Sequence, residues 1–311
     1  MAAMDSVALL ALAELPEDLP ATLAVIVGVH GSAYRRAGAA RLTAPGRPPA
    51  GVVSGGCLEA DLDLRASRAG GEGMLLRYDL RGGPEDLWGL AAGCNGALEI
   101  WLQPIPAGRP SAYRCAARWL AEGRTAVVTT VLSTGLQWAA ADDGHTFGAP
   151  GPAVGQRVFV DHRAPAPSFL VFGRGPDAGP MADLAGRAGF RVRRAGDPDD
   201  LEGLLASAPP DAAVVMSHHF PGDRRALAAL LAAGVPYVGV LGSRERTRRL
   251  LPEPWPPSVH APLGLDIGAD SPEEIALAAV AEALAVLRGR GAGHLRARAG
   301  RVHAPGPVVP S

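Results

Sequence analysis

The second half of the chain alternates predicted strands with predicted helices. The predicted strands are Phe169–Gly173, Arg191–Ala195, Ala212–Ser217 and Tyr237–Leu241, and the helices predicted between them are Met181–Gly189, Pro198–Ala206 and Arg224–Ala233. Successive parallel strands need a crossover helix, so this order predicts a doubly wound, Rossmann-like parallel sheet. A last helix is predicted from Ser271, a typical N-cap followed by Pro272, to about Arg288.

The first half of the chain is richer in strands and poorer in helices. Its predicted strands are Thr22–His30, Gly51–Ser54, Met74–Tyr78, Ala97–Leu102, Ala126–Leu132, Leu136–Ala140 and Arg157–Val160, and its predicted helices are Val7–Leu15, Leu58–Ala69 and Ala112–Ala121. This mixture predicts an α+β domain with a mixed or antiparallel sheet. The predicted class is therefore α/β, an N-terminal α+β domain followed by a Rossmann-like domain.

Two low-complexity stretches set the predicted domain boundaries. Residues 164–167 read Ala-Pro-Ala-Pro, which restricts the backbone and is typical of a semi-rigid linker. We therefore predict one domain over residues 1–163 and a second over 168–288. Residues 289–311 carry Gly, Pro, Arg and Ala without a hydrophobic period, which predicts a disordered tail.

Composition excludes several function classes. The formal net charge of the 311 residues is −1, which does not favour nucleic acid as a partner. All 30 basic residues are arginine, so a Walker-A lysine and a lysine Schiff base are excluded. The three cysteines are odd in number and unpaired in spacing, which favours a reducing compartment. Acidic residues interrupt the apolar N-terminus, so neither a signal peptide nor a membrane span is predicted, and we expect a cytoplasmic protein.

The segment Gly55-Gly56-Cys57-Leu58-Glu59 is predicted to join a strand to a helix. Glycines let a ligand approach the backbone, and a helix N-terminus favours an anion or a thiolate. The alternative is a tight turn with an inert, buried cysteine. Cys94 also lies among glycines, so the two thiols could meet around a soft metal centre or act as a sulfur carrier, although two thiols alone make an incomplete zinc site.

Arginines and histidines follow several predicted strands. Ser32, Arg35 and Arg36 follow the first strand and could clamp a carboxylate or a phosphate, or could be exposed loop residues. Gly173 and Gly175 resemble the glycine turn of a dinucleotide-binding unit, with a purely structural βαβ turn as the alternative.

Five further residues complete the predicted ligand-binding edge of the second domain. His218 ends the third strand of the second domain, where it would be either solvated or ligand-facing. Gly242, Ser243 and Arg244 form a phosphate cradle or a solvated basic face. Asp266 lies between two glycines in a loop beside the same edge.

Several sequence blocks together resemble the XdhC/CoxI family of xanthine dehydrogenase accessory proteins. The blocks are Gly31-Ser32, Arg35-Arg36, Gly38-Ala39, residues 55–59, Cys94-x-Gly96, residues 237–244, Arg248 and residues 260–269. The resemblance implies a protein that binds molybdenum cofactor, supports its sulfuration together with a cysteine desulfurase, and inserts it into a molybdenum hydroxylase of the xanthine or carbon monoxide dehydrogenase type. Such a maturation chaperone is not expected to be an enzyme.

Given this resemblance, we expect the following fifteen candidate residues to meet the cofactor. They are Ser32, Arg35, Arg36, Gly55, Gly56, Cys57, Glu59, Cys94, Gly173, Gly175, His218, Gly242, Ser243, Arg244 and Asp266, with Cys57 as a contact to the molybdenum. The cofactor could be molybdopterin or its dinucleotide form, and a homodimer is left open. The chain has Arg174 and Pro176 where the family commonly has Ala and His, and Gly196 where it has an aspartate, so NAD(P) is the less favoured ligand.

Two other functions remain as alternatives. One is an NAD(P)-dependent oxidoreductase that uses the second domain, and the other is a thiol- or metal-dependent enzyme that uses the first.

Overall fold

The structure is a computed structural model that describes residues 6–68, 71, 73–81, 96–151 and 155–299. The described residues form two compact units, one ending at Pro165 and the other beginning at Ala166. We call them the N-terminal unit and the C-terminal unit and describe each by itself.

The N-terminal unit contains two antiparallel sheets. The first consists of β1 (Ala21–Gly31), β2 (Ala40–Thr43), β3 (Met74–Asp79) and β4 (Gly96–Ile105), in the order β2-β1-β4-β3. The second consists of β5 (Ala126–Val131), β6 (Gln137–Ala141), β7 (Thr146–Phe147) and β8 (Val158–Arg163), in the order β7-β6-β5-β8. The β1–β4 register shifts between Ile26 and Gly28, which makes a bulge at Val27.

Both faces of the first sheet are buried. One face packs in a core that includes α1 (Val7–Glu14), α3 (Ala112–Ala121) and strands of the second sheet. The opposite face packs against α2 (Glu59–Arg68), and we call this second cluster the α2 core. The α2 core consists of Ala24, Ile26, Ala39, Val53, Leu58, Leu62, Tyr78, Leu80, Leu98, Ile100 and Leu102. Its position matters because it supports two of the predicted site loops.

The C-terminal unit is a parallel sheet covered by helices on both faces. Its strands are β9 (Ser168–Phe172), β10 (Arg191–Ala195), β11 (Ala212–Val215), β12 (Tyr237–Val240) and β13 (Val259–His260), in the order β10-β9-β11-β12-β13. Its helices are α4 (Ala178–Arg187), α5 (Pro198–Ser207), α6 (Phe220–Ala232), α7 (Arg244–Leu250) and α8 (Pro272–Leu287). Helices α4 and α8 share a core on one face, whereas α5, α6 and α7 share the core on the other.

The predicted fold class is confirmed. The central strands are fully buried, as expected for a parallel sheet covered on both faces, so they appear in the sequence as continuous apolar runs. The final helix begins at Pro272, and Ser271 and Glu274 form a reciprocal capping box before it. The described helices include none that is long and apolar enough to cross a membrane.

One predicted strand is wrong. Residues 51–54 form a loop, and the only pairing nearby is a single bridge between Ala50 and Leu42. Gly51 adopts a φ of +80°, and a Cβ there would clash with the carbonyl oxygen of Ala40. The backbone N–H groups of Val53 and Ser54 donate to the Glu59 carboxylate instead of to a neighbouring strand. Helix α2 accordingly begins at Glu59 rather than at Leu58.

Smaller differences concern element ends and short strands. Helix α6 begins four residues before the predicted Arg224, because the His219 side chain caps it and Pro221 occupies its first turn. Strands β2, β7 and β13 were not predicted, since two to four residues give no readable period. Within the predicted tail, residues 295–297 form one turn of 3-10 helix, and residues 300–311 lie outside the described part.

Candidate functional site

The loop formed by residues 51–58, here called the Cys57 loop, is held by one serine and one carboxylate. The buried Ser54 hydroxyl accepts hydrogen bonds from the N–H groups of Gly56 and Leu58, both at 3.1 Å, and donates to Glu59 Oε2. Glu59 Oε1 accepts from the N–H groups of Ser54 at 2.8 Å and Val53 at 3.2 Å. The loop conformation therefore depends on the first residue of α2.

Glu59 is held in its ionised form by this arrangement. Burial raises the pKa of its carboxyl group, but hydrogen bonds from the Ser54 hydroxyl and from backbone N–H groups lower it by more, so its pKa lies below the usual range. Both carboxylate oxygens are engaged within the loop. The role that the structure gives Glu59 is to hold the loop, and direct contact with a cofactor stays a prediction.

The tip of the Cys57 loop is open. Gly56 needs to be glycine because its φ is +115°, but Gly55 has no left-handed backbone and a Cβ there would meet no described atom within 4 Å. Gly55 and Gly56 are exposed, and Cys57 is half-buried against the α2 core. Among the described residues, the N–H groups of Gly55 and Cys57 have no acceptor. The tip thus presents a thiol and two backbone donors.

The loop after β1, residues 32–39, rests on the same apolar cluster. It is pinned to β1 by hydrogen bonds from Gly38 N to Ile26 O at 2.7 Å and from Ile26 N to Ala39 O at 2.9 Å. Ala33 and Ala37 pack against the α2 core, as Cys57 does. The α2 core therefore carries both predicted loops of the N-terminal unit.

The contacts described above are made by backbone atoms and alanines, not by the side chains of the two arginines. Ser32 and Arg36 are exposed and Arg35 is half-buried. Gly96, at the start of β4, pairs with Gly31 at the end of β1. Cys94 lies outside the described residues, so the expectation that it meets Cys57 stays a prediction.

A charged cluster at the end of β1 was missed by sequence reasoning. Glu99 on β4 is buried, and its carboxylate pairs with both terminal nitrogens of Arg157 and lies 3.4 Å from His30 Nε2. The Arg157 guanidinium lowers the pKa of Glu99 below its usual range. A Cβ at Gly28 would clash with Glu99 Oε2. A glycine inside a strand indicates that another group approaches the backbone closely, so Gly28 was the one sequence feature that could have indicated this cluster.

In the C-terminal unit, the candidate site lies at the carboxyl edge of the sheet. The chain runs from β9 through α4 to β10 on one side of β9, and then through α5 to β11 on the other side. The strand order therefore reverses between β9 and β11. Open α/β sheets bind ligands at such a reversal. Gly173 has a φ of +149°, and a Cβ there would lie 2.7 Å from Met216 O, so packing against β11 requires this glycine. Gly175 is different, because its Cβ would make only an ordinary 3.7 Å contact with the His218 ring.

His218 is a backbone outlier at this crevice. Its φ is +59°, a left-handed conformation that costs a residue with a Cβ about 1 kcal/mol. Its side chain is 57% exposed, and its Nε2 lies 3.4 Å from Asp177 Oδ2 at the start of α4. The structure therefore brings the predicted residues Gly173, Gly175 and His218 together.

An ion pair between Asp223 and Arg246 supports the turn that carries His218, and sequence reasoning did not predict it. Asp223, fully buried in the first turn of α6, accepts hydrogen bonds from Ser217 N and from the Ser217 hydroxyl. Its other oxygen lies 2.5 Å from Arg246 Nη2 on α7, and Arg246 Nη1 donates to Leu241 O at 3.4 Å. This network ties the turn after β11 to the turn after β12.

The remaining predicted residues lie on the turns after β12 and β13. Gly242 has a φ of +127°, and the Ser243 hydroxyl caps α7 by accepting from Arg246 N at 3.2 Å. Arg244 is exposed and forms no ion pair within the described chain. Asp266 is exposed as well, in a loop whose Gly264 N–H donates to Glu282 at 2.8 Å. Asp266 forms no hydrogen bond or ion pair with the other predicted residues in the described part of the chain.

The described residues contain no group of three or more His, Cys, Asp or Glu side chains that could hold a metal ion. A protein-only metal centre is therefore not formed by the part of the chain that the structure covers.

Similarity to known proteins extends over both units. Residues 15–79 match the XdhC and CoxI family, and residues 169–283 match the XdhC Rossmann domain. A Bacillus subtilis (strain 168) protein, named as a probable subunit of xanthine dehydrogenase, is 33% identical over 309 residues, which cover 86% of this chain and 93% of that protein. A crystal structure of a xanthine dehydrogenase from Bacillus halodurans has a TM-score of 0.78 at 31% identity, over 91% of this chain and 96% of that chain.

Proposed function

Because this chain belongs to the XdhC and CoxI family, we propose that it is an accessory protein that binds molybdenum cofactor, supports its sulfuration and inserts it into a molybdenum hydroxylase. The names of its relatives refer to xanthine dehydrogenase, so a hydroxylase of that type is the client that we propose first. A carbon monoxide dehydrogenase-type client is the alternative within the same function. The sulfide would come from a cysteine desulfurase.

The observation that carries this proposal is the open tip of the Cys57 loop. Nothing in the backbone or in the described packing requires Gly55 to be glycine, since its φ is not left-handed and its Cβ would meet no described atom within 4 Å. At an exposed loop tip, a glycine leaves room for a bound group to approach the backbone. The neighbouring thiol can bind a metal. The two backbone N–H groups at the tip can donate hydrogen bonds to an anionic or polar ring system.

The residues of the N-terminal unit fit such a cofactor without an enzymatic role. Gly55 and Cys57 would hold it through backbone N–H groups and the thiol, while Arg35 and Arg36 would offset the negative charge of its phosphate. In the described part of the chain, Cys57 makes no hydrogen bond to a histidine or a carboxylate, so it lacks the neighbouring base that an activated thiol needs. This favours a carrier over a thiol-dependent enzyme.

The C-terminal unit, taken by itself, carries its own candidate ligand contacts. Gly175 leaves room above its backbone, His218 faces the same crevice, and Arg244 is a cation without an ion-pair partner in the described chain. Arginine is the only strongly basic side chain in this protein, so Arg244 is a natural partner for a phosphate. Asp266 could accept hydrogen bonds from the N–H groups of a pterin.

Bound molybdenum cofactor supplies the metal whose oxo ligand is replaced by sulfide. The part of this chain is to bind the cofactor, orient it and keep it from solvent until transfer. Cys57 would act as a contact to the metal, and Glu59 would keep the loop that presents this thiol in place.

Cofactor retention tests the proposal directly. The full chain and its Cys57→Ala, Arg244→Ala and Gly55→Ala variants would be co-expressed with the cofactor pathway, and bound molybdenum and pterin fluorescence would be measured after purification. Gly203→Ala on α5 is the matched control for Gly55→Ala, because its Cβ also meets no described atom within 4 Å. We expect retention to fall in the three site variants and not in the control. Unchanged retention in both Cys57→Ala and Arg244→Ala would refute the proposed site.

The insertion role has a separate readout. A candidate hydroxylase would be produced with and without this chain, and its molybdenum content, sulfide content and activity would be compared. We expect the hydroxylase produced alone to contain less of the sulfurated cofactor. Equal loading in both cultures would contradict an insertion role for that client.

A further inference from the structure

The Rossmann-like sheet of the C-terminal unit invites the question of whether it binds a nicotinamide dinucleotide. In units that do so, a carboxylate at the end of the second strand hydrogen-bonds the ribose hydroxyls of NAD. The second strand here is β10, which ends at Ala195 and is followed by Gly196 and Asp197. The residue directly after the strand therefore has no side chain with which to bind a ribose.

The space above Gly196 is filled by the protein itself. A Cβ at Gly196 would overlap the guanidinium group of Arg174, so this side chain lies against the Gly196 backbone. Arg174 Nη2 lies 3.1 Å from Asp197 Oδ2 and 3.4 Å from Asp200 Oδ2. The arginine leaves the turn after β9, lies against Gly196 at the end of β10 and ends at the start of α5.

The two nearby carboxylates are already engaged. Asp197 Oδ1 caps α5 by accepting from Asp199 N at 3.1 Å and from Asp200 N at 3.0 Å, while its Oδ2 faces Arg174. Asp200 Oδ2 accepts from Gly196 N at 3.2 Å. A ribose diol would have to displace the arginine and would still lack a free carboxylate.

The phosphorylated dinucleotide fits no better. An arginine near this position can accommodate the 2′-phosphate of NADP. Here the single positive charge of Arg174 faces two carboxylates, Asp197 and Asp200, which would repel an incoming phosphate.

We infer that Arg174 is a specificity-determining residue that excludes nicotinamide dinucleotides from the C-terminal unit, and that Gly196 is the position that admits its guanidinium group. The inference does not depend on the proposed handling of molybdenum cofactor. It follows that a ligand of the Rossmann-like sheet places no ribose at the end of β10.

Dinucleotide binding by the full chain tests this inference. Binding of NADH and NADPH would be followed by fluorescence titration for the wild type, for Arg174→Ala and for Arg174→Ala/Gly196→Asp, which supplies the missing carboxylate. Gly196 has no left-handed φ, so its backbone accepts an aspartate. Arg187→Ala, an exposed arginine in the last turn of α4, is the control for loss of one positive charge.

We expect the wild type and Arg187→Ala to bind NADH only weakly, with a Kd of about 1 mM or above. The double variant should bind NADH at least about tenfold more tightly, since the new carboxylate can accept charge-assisted hydrogen bonds from the ribose. Arg174→Ala alone should gain roughly threefold, because exposed ion pairs are weak, and it provides the comparison if the double variant folds poorly. Micromolar binding by the wild type, or no gain in Arg174→Ala and the double variant, would overturn the inference. Neither result bears on cofactor retention, which is measured without NADH.

Discussion

The Cys57 loop and the turn that carries His218 use the same type of support in two unrelated folds. In each, a serine gives its backbone N–H and its hydroxyl to a carboxylate in the first turn of the following helix. Ser54 binds Glu59 in the N-terminal unit, and Ser217 binds Asp223 in the C-terminal unit. The difference lies in the charge, because the hydrogen-bond donors of Glu59 are all neutral, whereas Asp223 also pairs with Arg246.

The comparison shows how one type of support can hold two loops with unequal strength. Asp223 is fully buried, so loss of its partner would leave a charge without water or counter-ion. Glu59 is only half-buried, so water can replace part of its hydrogen bonds. We therefore expect the His218 turn to be rigid enough to keep a strained residue, and the Cys57 loop to open more easily.

Removal of the buried Asp223 carboxylate is the strongest test of this difference between the two loops. We expect Asp223→Ala to lower the free energy of unfolding of the C-terminal unit by about 3–5 kcal/mol, because Arg246 and Ser217 lose their shared acceptor. Urea unfolding followed by circular dichroism measures the change. Asp266→Ala, at an exposed aspartate, should stay within about 0.5 kcal/mol. A loss below about 1 kcal/mol for Asp223→Ala would show that the ion pair is not what fixes the turn.

The corresponding change in the N-terminal unit should have a smaller effect. Glu59→Gln is expected to lower the free energy of unfolding by about 1–3 kcal/mol at neutral pH, because three donors lose a charged acceptor. The pKa of Glu59 in the folded chain lies below its usual range, so its contribution is fully present above about pH 4.3 and is lost as the pH falls through the folded-state pKa. The difference between wild type and variant should therefore shrink in acid.

Unfolding curves of both proteins at neutral pH and near pH 3 would reveal this trend. Glu14→Gln, at an exposed glutamate in the last turn of α1, is the matched control. A difference that grows in acid would mean that the carboxylate of Glu59 is destabilising in the folded chain.

The strained position in the C-terminal unit gives a third comparison. At residue 218 glycine should be more stable than alanine by about 1 kcal/mol, because only glycine adopts a φ of +59° without cost. Thermal unfolding of His218→Gly and His218→Ala measures this difference. Both variants should lose cofactor retention to the same extent, since both lack the imidazole. Retention by either of them would remove His218 from the proposed site.

The smallest effect on stability is expected at Gly55. Gly55→Ala should change the free energy of unfolding by less than about 0.5 kcal/mol, since its Cβ meets no described atom within 4 Å. Gly56→Ala should be less stable than Gly55→Ala by about 1 kcal/mol, because the φ of Gly56 is +115°. Equal melting temperatures for the two variants would contradict this distinction between a structural glycine and an open one.

Most of the fold of the C-terminal unit could be predicted because the sequence patterns that indicate it are local. The strands β9, β11 and β12 are short apolar runs separated by helices, and Ser271 with Pro272 marks the start of α8. The same local reasoning failed at residues 51–54, where two valines suggested a strand. The backbone N–H groups of Val53 and Ser54 donate instead to Glu59, which lies outside the run.

The supports of the candidate site were not predictable in the same way. Glu99 and Arg157 are 58 residues apart, and Asp223 and Arg246 are 23 residues apart, so no periodic pattern connects either pair. Residues that touch a ligand occur at strand ends and among glycines, which are visible in a sequence. Residues that hold those loops are distributed by the tertiary fold and become visible only in a structure.

The bulge at Val27 decides the direction in which a loop leaves the sheet. Side chains alternate between the two faces of a strand, so one additional residue reverses the facing of everything that follows it. If β1 paired regularly with Val27 retained, Val27 would lie opposite Glu99, and every later residue of β1 would face the other side of the sheet. One additional residue in β1 therefore sets the direction in which the loop with Arg35 and Arg36 leaves the sheet.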